Sequence, residues 1–185
     1  MKDGRMLSES EKKELLQKAY EIRLFRPEDA AAVCSWLRSE EEMRMWSAGT
    51  FEAFPLSRDV LNTFYTAHNQ KSYYPLMLSE ERGGEAAGHV LLRLLDTESH
   101  TFRLAHYILR PELRGMGLGK VLLRKIIDFA RSELQAERLI LVVFTRNLPA
   151  YFTYRALGFR RSSENNEYYR LNGKVREFIE MELDL

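Results

Sequence analysis

The chain has a single cysteine, so no disulfide can form within its 185 residues. Cys34 sits in Ala-Ala-Val-Cys-Ser-Trp-Leu beside Val33 and Leu37, the setting of a core thiol rather than of a nucleophile. Histidine is equally scarce. His68, His89, His100 and His106 show no metal-ligand spacing and have no cysteine partners, so no metal is expected. An excess of either charge is also missing: 28 basic side chains face 27 acidic ones, for a net charge of +1. That balance removes the electrostatic case for a nucleic-acid partner or an anionic membrane surface. No apolar run approaches the roughly 18 residues of a spanning helix, and the opening MKDGRMLSESEKKELLQK is too polar for a signal peptide. A reducing cytoplasm is the expected location. Repeats and low-complexity tracts are absent too.

What is present suits one globular domain, with 45% apolar and 30% charged residues. Residues 1–19 read as a charged helical extension, with Ser8 and Glu11 at capping-box spacing and only Leu15, Leu16 and Ala19 as an apolar stripe. Residues 20–185 form the domain proper. Tyr20–Phe25 alternates as a strand does, and Pro27 and Asp29 start a helix through Trp36 and Leu37. The stretch from Glu40 to Tyr74 is broken by Gly49, Pro55 and Asn62, with one helix predicted near Asp59–Ala67 behind Ser57 or Asp59 as cap. Pro75–Ser79, Ala86–Leu95 and Phe102–Leu109 read as an antiparallel meander, separated by Gly83-Gly84 and Asp96-Thr97.

The second half opens on a long helix whose Leu122, Leu123, Ile126, Ile127, Ala130 and Leu134 recur at helical spacing. Leu139–Phe144 is apolar throughout and suits the middle of a sheet. A short helix around Ala150–Leu157, a Gly158-Phe159 turn and two closing strands follow. The last is expected to put Val175, Ile179, Met181 and Leu183 on one face. This order gives an α+β fold with a single mixed, mostly antiparallel sheet flanked by helices.

Between a strand and that long helix lies Arg114-Gly115-Met116-Gly117-Leu118-Gly119-Lys120. Alternating glycines let the backbone approach a ligand, and a helix start offers unpaired N–H groups and the positive end of its dipole. With Arg114 and Lys120 adding charge, this is an anion cradle suited to pyrophosphate; without a ligand it is a tight strand-to-helix turn. A P-loop would need Ser or Thr where Val121 stands and Gly where Arg114 stands. The dinucleotide fingerprint would need glycine in place of Lys120.

Read on Arg114, Gly117 and Gly119, Arg-x-x-Gly-x-Gly resembles the pyrophosphate signature of the GNAT N-acetyltransferases, and Ile108-Leu-Arg-Pro-Glu-Leu-Arg-Gly resembles the strand and loop before it. A second block, Asn147-x-x-Ala150-x-x-x-Tyr154-x-x-x-Gly158-Phe159, resembles that family's downstream motif. The resemblance runs from about Tyr20 to Leu183. It implies splayed central strands forming a slot for acetyl-CoA, with the Arg114–Lys120 amides on the coenzyme A pyrophosphate. Ile108, Leu109 and Asn147 would then lie along the pantetheine, and Tyr154 beside the sulfur. A thiolate leaving group, with a conjugate acid near pKa 8.5, calls for such a phenol as general acid, and no metal or covalent intermediate is required. Met45-Trp-Ser-Ala48 and Phe178-Ile-Glu-Met-Glu resemble the RimJ/RimL-like branch, which implies a protein N-terminus or a small amine as acceptor.

The glutamate that many relatives use as general base is missing: Val142, Arg103 and Leu104 occupy its usual places. His106 is a weak candidate, read first as a satisfied histidine facing opposite Tyr107. Glu98, Glu112 and water stay open as well. Trp46, Phe51, Phe54, Phe64, Tyr73 and Tyr74 are the candidate lining of the acceptor pocket. Two functions follow: an amine acetyltransferase, or a coenzyme A-binding sensor or structural module without turnover. The sequence also allows pairing into a homodimer through an exposed strand or the opening helix.

Overall fold

The computed structural model describes Ser8 and residues 20–185 apart from 69–71, 82, 164–165 and 172. The expected helical extension therefore lies outside the described residues, except for Ser8. The elements are β1 (Tyr20–Leu24), α1 (Ala30–Ser35), α2 (Glu40–Trp46), α3 (Arg58–Ala67), β2 (Tyr73–Glu80), β3 (Ala86–Asp96) and β4 (Thr101–Leu109), then α4 (Leu118–Glu133), β5 (Arg138–Phe144), α5 (Leu148–Arg155), β6 (Arg160–Arg161), β7 (Glu167–Leu171) and β8 (Lys174–Asp184). The strands make one sheet in the order β1-β2-β3-β4-β5-β8-β6, with β7 also paired to β8. Among the described residues only β4–β5 is a parallel pair; the rest are antiparallel. The mixed sheet, the meander and the central β5 all match the sequence reading.

Two apolar clusters cover the two faces of the sheet. On one, α4 buries Leu122, Leu123, Ile126, Ile127 and Ala130 against Leu76, Leu78, Val90, Leu92, Phe102 and Leu104. Each large aliphatic side chain buried this way contributes about 1.5–3 kcal/mol. On the other, α1, α2 and α3 set Ala30, Val33, Met43, Leu61 and Tyr65 over Met77, Leu91 and Ile108. Cys34 is half-buried at the edge of this cluster, and burial pushes its thiol up to about 11, so it is inert at neutral pH. No helix among the described residues is long and apolar enough to cross a membrane.

Two details depart from expectation. The sequence shows no stripe for α2, because this seven-residue helix buries Met43 alone. It forms on its N-terminus: the Ser39 hydroxyl accepts from the Glu42 N–H, and Glu40, Glu41 and Glu42 line the positive end of the helix dipole. Val175 is 58% exposed instead of sharing the buried face of Met181, because it lies near the β7–β8 turn, beyond the cover of the core.

Candidate active site

β4 and β5 pair over three residues only, Thr101↔Arg138, Phe102↔Leu139 and Arg103↔Ile140. Beyond that point β4 stays bonded to β3 and β5 to β8, so the two strands part and leave unpaired backbone on both sides of a gap. A cavity of about 790 Å³ occupies it, lined along β4 from Arg103 to Leu109 and along β5 by Val142, Val143 and Phe144. Asn147 and Tyr154 of the following turn and helix, Trp46 and Phe64 from the helical layer over the sheet, and Tyr73 and Arg93 from β2 and β3 also line it.

The glycine loop stands at the open end, next to Leu109 and Arg114. Gly115 and Gly117 take φ of +74° and +82°, which side-chain-bearing residues adopt at a cost, and added Cβ atoms there would meet nothing within 4 Å. The loop is therefore shaped by backbone dihedrals and not by crowding. Arg114 N–H donates to Pro111 and Lys120 N–H to Gly117, whereas the N–H groups of Gly115 through Gly119 find no backbone acceptor among the described residues. They gather at the start of the 16-residue α4, where the helix dipole is positive. Lys120 is exposed beside them. The Arg114 guanidinium does not add free charge to this cradle, as its place in the motif suggests. It donates to the Leu109 carbonyl at 2.9 Å and to the Trp36 carbonyl at 2.9 Å, and it pairs with the Glu42 carboxylate. Glu42 also accepts the Arg38 N–H at 2.8 Å. The motif gave no signal for Glu42, which lies in α2.

Asn147 caps α5 by accepting the Ala150 N–H through Oδ1 at 3.3 Å, which leaves its amide NH₂ for the cavity. Two turns on, Tyr154 is 9% exposed, with its ring edge-on to Phe159, and its hydroxyl makes no hydrogen bond within the described residues. Burial pushes its pKa up to about 12, so it is a neutral donor at any working pH. Tyr107 also reaches the cavity wall. Its hydroxyl, raised by burial and by the neighbouring Tyr154, donates to the Gly119 carbonyl at 2.8 Å and pins the first turn of α4.

His106 departs from simple alternation. His89 opposes Ile108 and Leu91 opposes Ala105, so His106 and Tyr107 together face Val90 in a bulge where His106 has φ +53°. The bulge turns His106 onto the layer of α2 and α3, against Trp46, Phe51 and Phe64, on the cavity wall. Tyr65 Oη lies 2.7 Å from His89 Nε2 and 3.1 Å from His106 Nδ1, a buried His–Tyr–His chain. Burial brings both imidazoles down to about 3, with mutual repulsion adding to the effect on His89, so both are neutral at pH 7. His106 is thus a satisfied buried histidine whose depressed basicity suits it poorly to accept a proton. Neither Glu98 nor Glu112 lines the cavity, and the apolar Val142 does.

Of the six aromatic candidates for the acceptor side, Trp46, Phe64 and Tyr73 line the cavity. Phe51 is buried behind them, stacked on Trp46. Phe54 is exposed, and Tyr74 packs on the α4 face of the sheet. Among the described residues no group of His, Cys, Asp and Glu could hold a metal ion.

The model described as Acetyltransferase (GNAT) family matches residues 30–159. Spermidine N(1)-acetyltransferase of Escherichia coli (strain K12) is 28% identical over 162 residues, spanning 86% of this chain and 83% of that protein. N-alpha-acetyltransferase RimI of Mycobacterium tuberculosis is 34% identical over 92 residues, 49% of this chain and 56% of that one. Among solved structures, spermidine N-acetyltransferase from Vibrio cholerae in complex with CoA and spermine superposes with a TM-score of 0.76 at 19% identity, covering 89% of this chain and 95% of that one. That likeness shows the fold.

Proposed function

The chain belongs to the GNAT acetyltransferase family, and on that premise we propose that it passes the acetyl group of acetyl-CoA to a primary amine, of a small molecule or a protein N-terminus, in the gap between β4 and β5. It is an acetyl-CoA-dependent N-acyltransferase. The observation that carries the site assignment is the parting of β4 and β5 after Arg103↔Ile140, with unpaired loop amides at one end and a buried phenol on the wall. An extended pantetheine needs such unpaired strand edges, and a pyrophosphate needs such amides.

In this reading the N–H groups of Gly115, Met116, Gly117, Leu118 and Gly119 take the pyrophosphate, with Lys120 beside them. Ile108 and Leu109 flank the pantetheine, and the Asn147 amide donates to it. Arg114 holds the loop in place through Glu42 and the two carbonyls. The amine nitrogen attacks the thioester carbonyl, the carbon–sulfur bond breaks, and the Tyr154 hydroxyl donates to the sulfur as negative charge develops there. The proton lost by the nitrogen returns to the phenol, so Tyr154 ends as it began. With no carboxylate at Val142, Arg103 or Leu104, the incoming ammonium loses its first proton to water in the cavity.

Spermidine, named for the relatives, would need carboxylates around its ammonium groups. The two on this cavity among the described residues, Glu41 and Glu42, are held by Arg176 at 3.4 Å and by Arg114. The segments resembling the RimJ/RimL-like branch support an N-terminal residue or a small amine instead. The test is release of coenzyme A thiol from acetyl-CoA across N-terminal peptides, lysine peptides, polyamines, aminoglycosides and free amino acids. Turnover with one class confirms the reaction and names the acceptor. Silence across the panel, with acetyl-CoA bound, would favour a coenzyme A-binding module.

A further inference from the structure

We infer that Arg93 and Arg103 form an anion-binding subsite at the end of this cavity remote from the glycine loop, and that the acceptor amine also carries a carboxylate. This rests on the acetyl-transfer reading and narrows its substrate class. Tyr73, Arg93 and Arg103 are successive register partners across β2, β3 and β4, and all three line the cavity. Two like charges set directly opposite each other on one face of an antiparallel pair repel, and an anion between them relieves this; Arg93 is the exposed member of the pair and Arg103 the half-buried one.

The protein supplies only part of that anion. Arg103 Nη2 has one carboxylate contact, with Glu180 at 3.3 Å, and Glu180 is shared with the Ser162 hydroxyl at 3.0 Å. Arg103 Nε is buried with no hydrogen-bond partner. Arg93 lies over the Tyr73 ring at 5.4 Å and has no carboxylate partner among the described residues. Of the two guanidiniums only Arg103 meets a carboxylate among the described residues, and its buried Nε donor stays unused. A buried donor left unpaired is costly, and a guanidinium fork matches a carboxylate.

The coenzyme phosphates cannot serve as that anion. Arg103 lies six residues before Leu109 on β4, roughly 20 Å at the rise of a strand, and the phosphate cradle is past Leu109. Arg103 instead belongs to the last β4–β5 pair, at the end of the gap remote from the glycine loop. An amine attacking between these positions can present its carboxylate to the arginines. A polycation would meet them head-on.

The experiment compares kcat/KM for matched amines with and without the acid group: β-alanine against ethylamine, γ-aminobutyrate against propylamine, and methionine against 3-(methylthio)propylamine. Aminoethylphosphonate separates a carboxylate from a phosphonate-like anion. The carboxylated member of at least one pair is expected to lead by about tenfold or more, the scale of a charge-assisted hydrogen bond. Arg93→Ala and Arg103→Ala should each collapse that ratio, mainly through KM, and Arg93→Lys should restore part of it. Equal or better turnover of the plain amines, or a ratio that survives both substitutions, overturns the subsite. Preference for the phosphonate overturns the carboxylate assignment. If nothing is turned over, the transfer reading fails, and the subsite is still judged by Trp46-reported fluorescence titration with the same carboxylates. Saturable binding lost in Arg93→Ala supports it, and no binding overturns it.

Discussion

Arg114 and Glu42, 72 residues apart in sequence, form the ion pair that fastens the glycine loop to α2. The same guanidinium holds the carbonyls of Leu109 and Trp36 at 2.9 Å, so one side chain joins the end of β4, the end of α1 and the loop. Arg114→Ala should raise the Kd for acetyl-CoA by about tenfold, roughly the loss of a charge-assisted contact, with little change in kcat at saturation. Arg114→Lys should not repair it, because an ammonium cannot hold three acceptors in that planar arrangement. Isothermal titration of both variants measures this. An unchanged Kd would mean that the loop orders itself.

Tyr154→Phe removes the hydroxyl and keeps the ring packed on Phe159. We expect kcat to fall by about 10²- to 10⁴-fold with acetyl-CoA affinity nearly intact. Because burial holds the phenol up to about 12, no alkaline limb from Tyr154 should appear below pH 10. A kcat within twofold of the parent would remove Tyr154 from the reaction.

Gly117→Val should abolish acetyl-CoA binding and leave the fold standing. Nothing lies within 4 Å of the added Cβ, so the conflict is with φ +82° and with the ligand, not with the core. Thermal unfolding and a binding titration on the same sample separate the two effects. Full affinity would place the pyrophosphate elsewhere.

The His89–Tyr65–His106 chain makes stability depend on pH. Both histidines have folded pKa values lowered to about 3 by burial, against about 6.5 in an unfolded chain. Their stabilisation is complete above the unfolded value and is lost as pH falls from about 6.5 towards 3, because only the unfolded chain takes up the protons. By pH 5 the loss is on the order of 2 kcal/mol per histidine. Denaturant midpoints at pH 7.5, 6 and 5 should fall in step, and less steeply in His106→Gln. A flat profile over that range would contradict the buried neutral assignment.

Much of this architecture could be read from residue order. The period of Leu122 to Ala130, the alternation of the meander and the all-apolar β5 each reflect burial that acts locally on the chain. The glycine loop and the Asn147–Tyr154 block were legible for the same reason, since each is continuous in sequence. What escaped depends on contacts across the fold. Glu42 gains its role only when α2 packs near the loop, and α2 itself rests on a cap and a dipole rather than on an apolar stripe. The bulge at His106 inverts the face that strict alternation assigns from that residue on, and no local pattern announces it. Arg93 and Arg103 look like ordinary charged residues until the register sets them side by side.

The most direct test of this account is the structure of the protein with coenzyme A bound. The pyrophosphate is expected on the N–H groups of Gly115 to Gly119, the pantetheine between β4 and β5, and the sulfur within hydrogen-bond reach of the Tyr154 hydroxyl. A coenzyme bound elsewhere, or one whose sulfur points away from Tyr154 and the Arg93–Arg103 end, would contradict it.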